Sequence, residues 1–183
     1  MKLTEKQIKT NQDEIISLLR STNREGMENV IDYLNKSGYF TAPSSLDRHH
    51  NWRGGLAEHC LGVCRKALQM GSDLAHESIV IAGLLHDICK ASKLYYDAEG
   101  NIHRRCTLIK GHSRRSLILL CNCGLRLTED EALAIRWHMG GHHTHGDDTK
   151  EVLKAKQSQL WKIVHKADQW DASRMHIRTN DSF

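Results

Sequence analysis

This 183-residue chain has one proline, Pro43, and it lies early, so the backbone beyond it is free to form long helices. No stretch approaches the ~18 consecutive apolar residues that a membrane span requires. The opening segment, residues 1–14, lacks the apolar core of a secretion signal. No CxxC pair occurs among the six cysteines, Cys60, Cys64, Cys89, Cys106, Cys121 and Cys123, which excludes the common zinc and redox motifs of that form. Several of them fall in helix-like apolar stretches. They are expected to be reduced, buried thiols in a cytoplasmic protein rather than a disulfide framework. There is no internal repeat, low-complexity tract or Pro/Gly/Ser-rich linker, and hydrophobic residues make up 39% of the chain, so one compact domain over residues 1–183 is expected. A formal net charge of +4 does not by itself indicate a nucleic-acid partner. Histidine is abundant, with thirteen copies, and neutral imidazole is the commonest protein metal ligand.

The patterning predicts an all-α bundle of seven helices, with room for one short hairpin. The first helix covers about Glu5 to Leu19, with Thr4 and Gln7 as a capping box. The second covers about Glu25 to Lys36 and stops at Gly38. The third runs from Gly55 to Met70, with Leu56, Cys60, Val63, Ala67 and Met70 at helical spacing, which turns His59 inward. The fourth, Asp73 to Ile88, is apolar all round through Ile79–Leu85 and should be the central helix. A hairpin is expected from Lys93–Tyr96 and Ile102–Leu108, turning at Glu99-Gly100-Asn101. Helices follow over Gly111–Cys123, Glu129–Met139 (Thr128 and Glu131 forming a capping box) and Thr149–Ala172. Residues 1–39 then form an N-terminal helical extension and 40–175 the core.

Asp87 is the most informative residue. A carboxylate at the end of an all-apolar helix is costly to desolvate unless a cation or a hydrogen-bond network compensates it. His86 stands beside it, His59 faces inward from the preceding helix, and Asp168 lies on the inner stripe of the last helix with Leu160, Val164 and Ala167. Four N/O donors from three helices can converge. Such a set suits Mn, Fe, Co, Ni or Zn better than Mg, which prefers oxygen ligands.

Three blocks carry a resemblance: Asn51-Trp52-Arg53-Gly54-Gly55-Leu56-Ala57-Glu58-His59, Ala82-Gly83-Leu84-Leu85-His86-Asp87-Ile88-Cys89-Lys90, and Ala167-Asp168-Gln169-Trp170-Asp171-Ala172. In this order, over about Phe40 to Met175, they resemble the HD superfamily of metal-dependent phosphohydrolases. The subgroup most similar includes the HD domain of a bacterial 3′-to-5′ exoribonuclease. It shares the Gly-Gly-Leu…His opening, a Gly-His after the HD helix (Gly111-His112) and a His-Met before a His-His pair. The family's His-Asp-x-Gly-Lys becomes His86-Asp87-Ile88-Cys89-Lys90, with Cys89 in place of glycine. The resemblance implies that His59, His86, Asp87 and Asp168 ligate a divalent transition metal. It further implies that His112 and His138, 26 residues apart, bind a second ion bridged by Asp87; their alternative role is direct contact with substrate phosphate. One or two ions per chain are therefore expected.

The implied reaction is phosphoester hydrolysis by metal-activated water, with Asp87 and Lys90 in the catalytic machinery and Lys90 holding phosphate as a mobile point charge. The implied substrate is a small phosphorylated molecule, a nucleotide or a related phosphoester. Arg115 and His142 are candidate substrate contacts. Arg104, Arg105, Lys110 and Arg114 form either a basic rim or an ordinary solvated face. His142, His143 and His145 are expected to ring the mouth. The four tryptophans are expected to serve packing, and Asp171, one turn from Asp168, to support a ligand. Two other readings accompany the resemblance: a dinuclear-iron oxygenase of the same fold, and a non-catalytic nucleotide sensor. The sequence leaves the oligomeric state open.

Overall fold

A computed structural model describes residues 3–97, 99–106, 111–141 and 148–180, with side chains as far as Arg174. The described elements are α1 (Glu5–Ser21), α2 (Met27–Ser37), α3 (Gly55–Met70), α4 (His76–Leu85), a single 3₁₀ turn (Ile88–Lys90), β1 (Leu94–Tyr96), β2 (Ile102–Arg104), α5 (His112–Asn122), α6 (Glu129–Trp137), α7 (Asp148–Gln157) and α8 (Gln159–Asn180). The protein is all-α, with one two-stranded antiparallel hairpin that pairs Leu94 with Arg104 and Tyr96 with Ile102. No described helix is long and apolar enough to cross a membrane.

Helix α4 is the axis of the molecule. Ile79 to Leu85 are all buried, as an all-apolar helix requires. It crosses α3 closely because Gly83 lacks a side chain: a Cβ there would lie 2.8 Å from Cys64 Cα. Helix α8 packs along α3 and α6, and α1 and α2 close the far side through Ile15, Leu19, Val30 and Leu34. Both expected capping boxes form, Thr4 with Gln7 and Thr128 with Glu131.

Several boundaries differ from the sequence reading. The expected helix Thr149–Ala172 is two helices. Ser158 N donates to Ala155 O at 3.0 Å, tightening the last turn of α7, and Ser158 Oγ accepts from Trp161 N at 3.4 Å, which starts α8 afresh. Helix α8 then runs past Ala172 to Asn180. Helix α4 begins at His76 rather than Asp73, and it ends at Leu85 because Asp87 leaves the helical region at φ −109°, ψ 13° before the 3₁₀ turn. The hairpin strands are shorter than expected, and residues 107–110 lie outside the described set. Cys60, Cys64 and Cys89 are buried, but Cys106 and Cys121 are exposed, because they stand outside the apolar stripes. Trp137 and Trp161 pack inside and Trp52 is half-buried. Trp170 instead is exposed, with Lys66 of α3 and Arg174 over its ring.

Candidate metal centre

The termini of three helices and the bodies of two others meet at a single point. His59 comes from the second turn of α3, His86 caps α4, Asp87 follows it, His112 opens α5, His138 caps α6, and Asp168 lies midway along α8. His59, His86, Asp87 and His138 are at most 2% exposed.

The donor atoms divide into two groups around the two oxygens of Asp87. On one side, His59 Nε2 is 3.1 Å from Asp168 Oδ1 and 3.9 Å from Asp87 Oδ2, while His86 Nε2 is 3.4 Å from Asp87 Oδ2 and 3.9 Å from Asp168 Oδ1. On the other side, His112 Nε2 and His138 Nε2 are 3.1 Å apart and lie 3.5 and 3.7 Å from Asp87 Oδ1. Ligands about 2.1 Å from one ion stand roughly 3.0 Å apart in cis-octahedral and 3.4 Å apart in tetrahedral geometry. Both groups fall around that spacing.

The imidazoles are oriented for ligation. His59 Nδ1 donates to Asp171 Oδ2 at 2.9 Å, His86 Nδ1 to Gly83 O at 2.9 Å, and His138 Nδ1 to Ile135 O at 2.8 Å. Each bond fixes the ring and turns Nε2 inward. His59 Nε2, His86 Nε2 and Asp87 Oδ1 are buried with no hydrogen-bond partner. Buried polar atoms rarely stay unsatisfied, and bound cations would satisfy all three. The donors present therefore fit a divalent transition metal, whose preference is for imidazole and carboxylate.

Electrostatics agree. Burial, with His86 nearby, lowers His138 to about 3, and burial also lowers His112, so both stay neutral, the form that binds metal. Burial resists the charge on Asp87, but Lys90 and His86 outweigh it and hold the carboxyl well below its usual range. Asp168 is lowered too, its burial overcome by His59 beside it and by His86. Without an ion, His59 behaves differently: burial opposes its protonation, yet the neighbouring carboxylates of Asp168 and Asp171 raise it to about 9.

Lys90 reaches back one turn, its Nζ 2.6 Å from Asp87 Oδ2. Cys89 occupies the family's glycine position without distortion. Its Sγ–H donates to the carbonyl of His112 at 2.9 Å and ties the 3₁₀ turn to the start of α5. Asp171 is fully buried and also meets Arg174 at 3.1 Å and His50 Nε2 at 3.5 Å.

A cleft of about 440 Å³ opens over this centre. His59, Asp87, Lys90, His112, His138 and Asp168 all reach it. Arg115 does not line it; it stands near Tyr33, Cys89 and Lys93. His142, His143, His145 and Lys110 lie outside the described residues. Arg114 pairs with Asp148 at 3.5 Å. Ser45, Arg48, His49 and His165 are among the cleft residues to which the sequence reading gave no role. Ser45 Oγ accepts from Arg48 N and donates to His49 O, which shapes this part of the loop. Burial lowers His49 to about 4. His165 stacks on Trp161 and donates to the carbonyl of His138. Its place one turn before Asp168 on the same stripe was the available signal; the irregular loop at residues 45–49 offered none.

Comparison with known proteins agrees with this geometry. The family model described as HD domain matches residues 56–173. A dihydroneopterin 2′,3′-cyclic phosphate phosphodiesterase of Methanocaldococcus jannaschii is 39% identical over 57 residues, which cover 27% of this chain and 23% of that protein. The match thus spans about a quarter of the relative's length. No solved structure matches the chain.

Proposed function

We propose, from the premise that this chain belongs to the HD domain family, that it is a phosphohydrolase dependent on a divalent transition metal. The observation that carries the reading is the two-sided use of Asp87: Oδ2 faces His59, His86 and Asp168, while Oδ1 faces His112 and His138. In this reading His59, His86, Asp87 and Asp168 hold one ion, and His112, His138 and Asp87 hold a second. Such ions, when bound, supply a Lewis acid for phosphoryl oxygens and an acidified water. The protein's own groups do the rest. Asp171 holds the ring of His59 in place, and Ile135 O and Gly83 O do the same for His138 and His86. Lys90 brings a positive charge to the cleft, where charge on the phosphoryl oxygens grows in the transition state.

The proposed substrate is a small phosphorylated molecule, a nucleotide or a related phosphoester. A cleft of about 440 Å³ suits such a ligand, and the Methanocaldococcus relative is named for a cyclic phosphodiester. His142 is kept as a proposed substrate contact. Arg115, off the cleft lining, is proposed to act through its field. We read residues 1–183 as one HD domain, and the free cysteines suit a reducing compartment such as the cytoplasm.

The test is a phosphoester panel run on chelator-stripped protein with Mn, Ni, Co, Zn or Mg, with and without oxygen. The expected result is anaerobic turnover restored by a transition metal and lost in Asp87→Ala, which keeps its helical circular dichroism. Wild-type turnover by Asp87→Ala, or substrate loss only with iron and oxygen, would overturn the reading.

A further inference from the structure

The chain's positive charge is not spread evenly. Residues 90–115 hold seven lysines and arginines against two acids, whereas the whole chain is only +4, so the remainder is close to neutral at −1. This segment is the hairpin and its flanks. Two of its cations are absorbed locally: Lys90 by Asp87 and Arg114 by Asp148. Others are not. Arg104 and Arg105 are exposed, and neither meets a carboxylate among the described residues. Burial, with Arg104 and Arg115 nearby, lowers the Lys93 ammonium. Of the two acids, Asp97 is engaged by His103 at 2.7 Å and by Asn101.

The hairpin also displays an aromatic. Tyr95 is 39% exposed, its ring 5.6 Å from that of His103 across the strand pair, with the Arg105 guanidinium 4.8 Å from its centroid. A partly exposed ring with a guanidinium over it joins a stacking surface to positive charge, the two features that hold bases and phosphates. An acidic peptide would use the cations but not the ring. The surface adjoins the metal cleft, because Lys93 N donates to Lys90 O at 3.0 Å and Arg105 N to Lys93 O at 2.9 Å.

We propose that the β1–β2 hairpin is a binding surface for single-stranded nucleic acid, with phosphates on Lys93, Arg104 and Arg105 and a base on Tyr95, leading towards the cleft. This goes beyond the phosphohydrolase reading and does not depend on it. A polynucleotide so bound would have its end, or a scissile linkage, beside Lys90.

The test is fluorescence anisotropy of a labelled oligothymidylate of about 12 nucleotides with the full chain as purified, and the intact probe confirmed on a gel. Three phosphate contacts give a log–log salt slope of about −2, so affinity should fall about 20-fold between about 50 and about 200 mM salt. Arg104→Glu with Arg105→Glu should weaken binding about tenfold or more. Tyr95→Ala should weaken it about fivefold or more while leaving heparin binding unchanged. Arg104→Gln with Arg105→Gln is the milder pair should the charge reversal disturb folding, as read by circular dichroism. No salt-dependent binding, binding indifferent to the arginine changes, or equal loss of heparin and oligonucleotide on Tyr95→Ala would overturn the proposal. Oligonucleotide binding without phosphoester turnover would sink the function proposed above and leave this one standing; turnover without binding would do the reverse.

Discussion

Asp171 touches no ion in the proposed centre, yet its removal should loosen one. It is fully buried and accepts from His59 Nδ1 at 2.9 Å and Arg174 Nη2 at 3.1 Å. Replacing it with alanine strips the acceptor that holds the His59 ring, leaves that buried donor facing a void and releases the partly exposed Arg174 side chain. Such partners of a ligating histidine are typically worth 10–100-fold in metal affinity, about 1.4–2.7 kcal/mol. The structure points to the upper end for Asp171→Ala, because the carboxylate is fully desolvated and has two donors to abandon. Asp171→Asn keeps an acceptor oxygen but loses the charge, so about tenfold is expected. The assay is competition for Mn or Zn against a chromogenic chelator, with folding followed by urea titration. The group around Asp87 Oδ1 should be affected far less, since His138 is fixed by Ile135 O and not by Asp171. A folded Asp171→Ala protein with wild-type affinity for its first ion would refute the argument.

Two further predictions concern the frame around the centre. Glu131 is fully buried and accepts from Arg24 at 2.7 and 2.8 Å, Ser78 Oγ at 2.7 Å and Thr128 N at 2.8 Å, joining the α1–α2 loop, α4 and α6. Burial alone would raise its carboxyl, but Arg24, Ser78 and Thr128 outweigh it and lower it. The stabilisation is therefore complete above the ordinary glutamate value of about 4.3 and is lost as pH falls through the depressed folded value. Glu131→Ala should cost about 3–5 kcal/mol and lower Tm by about 6–20 °C in calorimetry; an unchanged Tm would count against it. In Glu131→Gln, the matching part of the acid-unfolding slope should vanish. Gly62→Ala should reverse the usual gain of about 0.5–1 kcal/mol for that change in a helix, because a Cβ there would lie 2.2 Å from Asp171 Oδ1. Lower urea stability together with weaker first-ion binding is expected, and a stabilised variant with normal metal affinity would show the contact to be slack.

The fold was legible wherever periodicity was strong and termini were chemically marked. Thr4 with Gln7 and Thr128 with Glu131 announced α1 and α6, and the unbroken Ile79–Leu85 run announced a central helix. The break at Ser158 was not legible, since neither proline nor glycine marks it and the apolar stripe of Val152, Ala155 and Leu160 crosses it almost in phase. A serine that accepts one backbone hydrogen bond was enough to restart the helix. The end of α4 was hidden for a related reason: Ile88 and Cys89 are as buried as the helix before them, so hydrophobicity continues where helical geometry stops.

The site was legible in its members but not in its division. His59, His86, Asp87 and Asp168 stood out as inward-facing donors, His112 and His138 were added by the family resemblance, and the structure brings the six side chains together. What spacing cannot convey is which oxygen of Asp87 serves which histidines. That assignment depends on the departure of Asp87 from helical geometry after His86, which sets Oδ2 towards α3 and α8 and Oδ1 towards α5 and α6. The substitution of Cys89 for glycine belongs to the same turn. Far from disrupting it, the thiol grips His112's carbonyl and so fixes the end of α5 that carries the His112 ring. The chain thus replaces a flexible residue with a tether at the point where the two halves of the centre meet. One hydrogen bond from Cys89 therefore ties the turn that follows Asp87 to the start of α5 that carries His112.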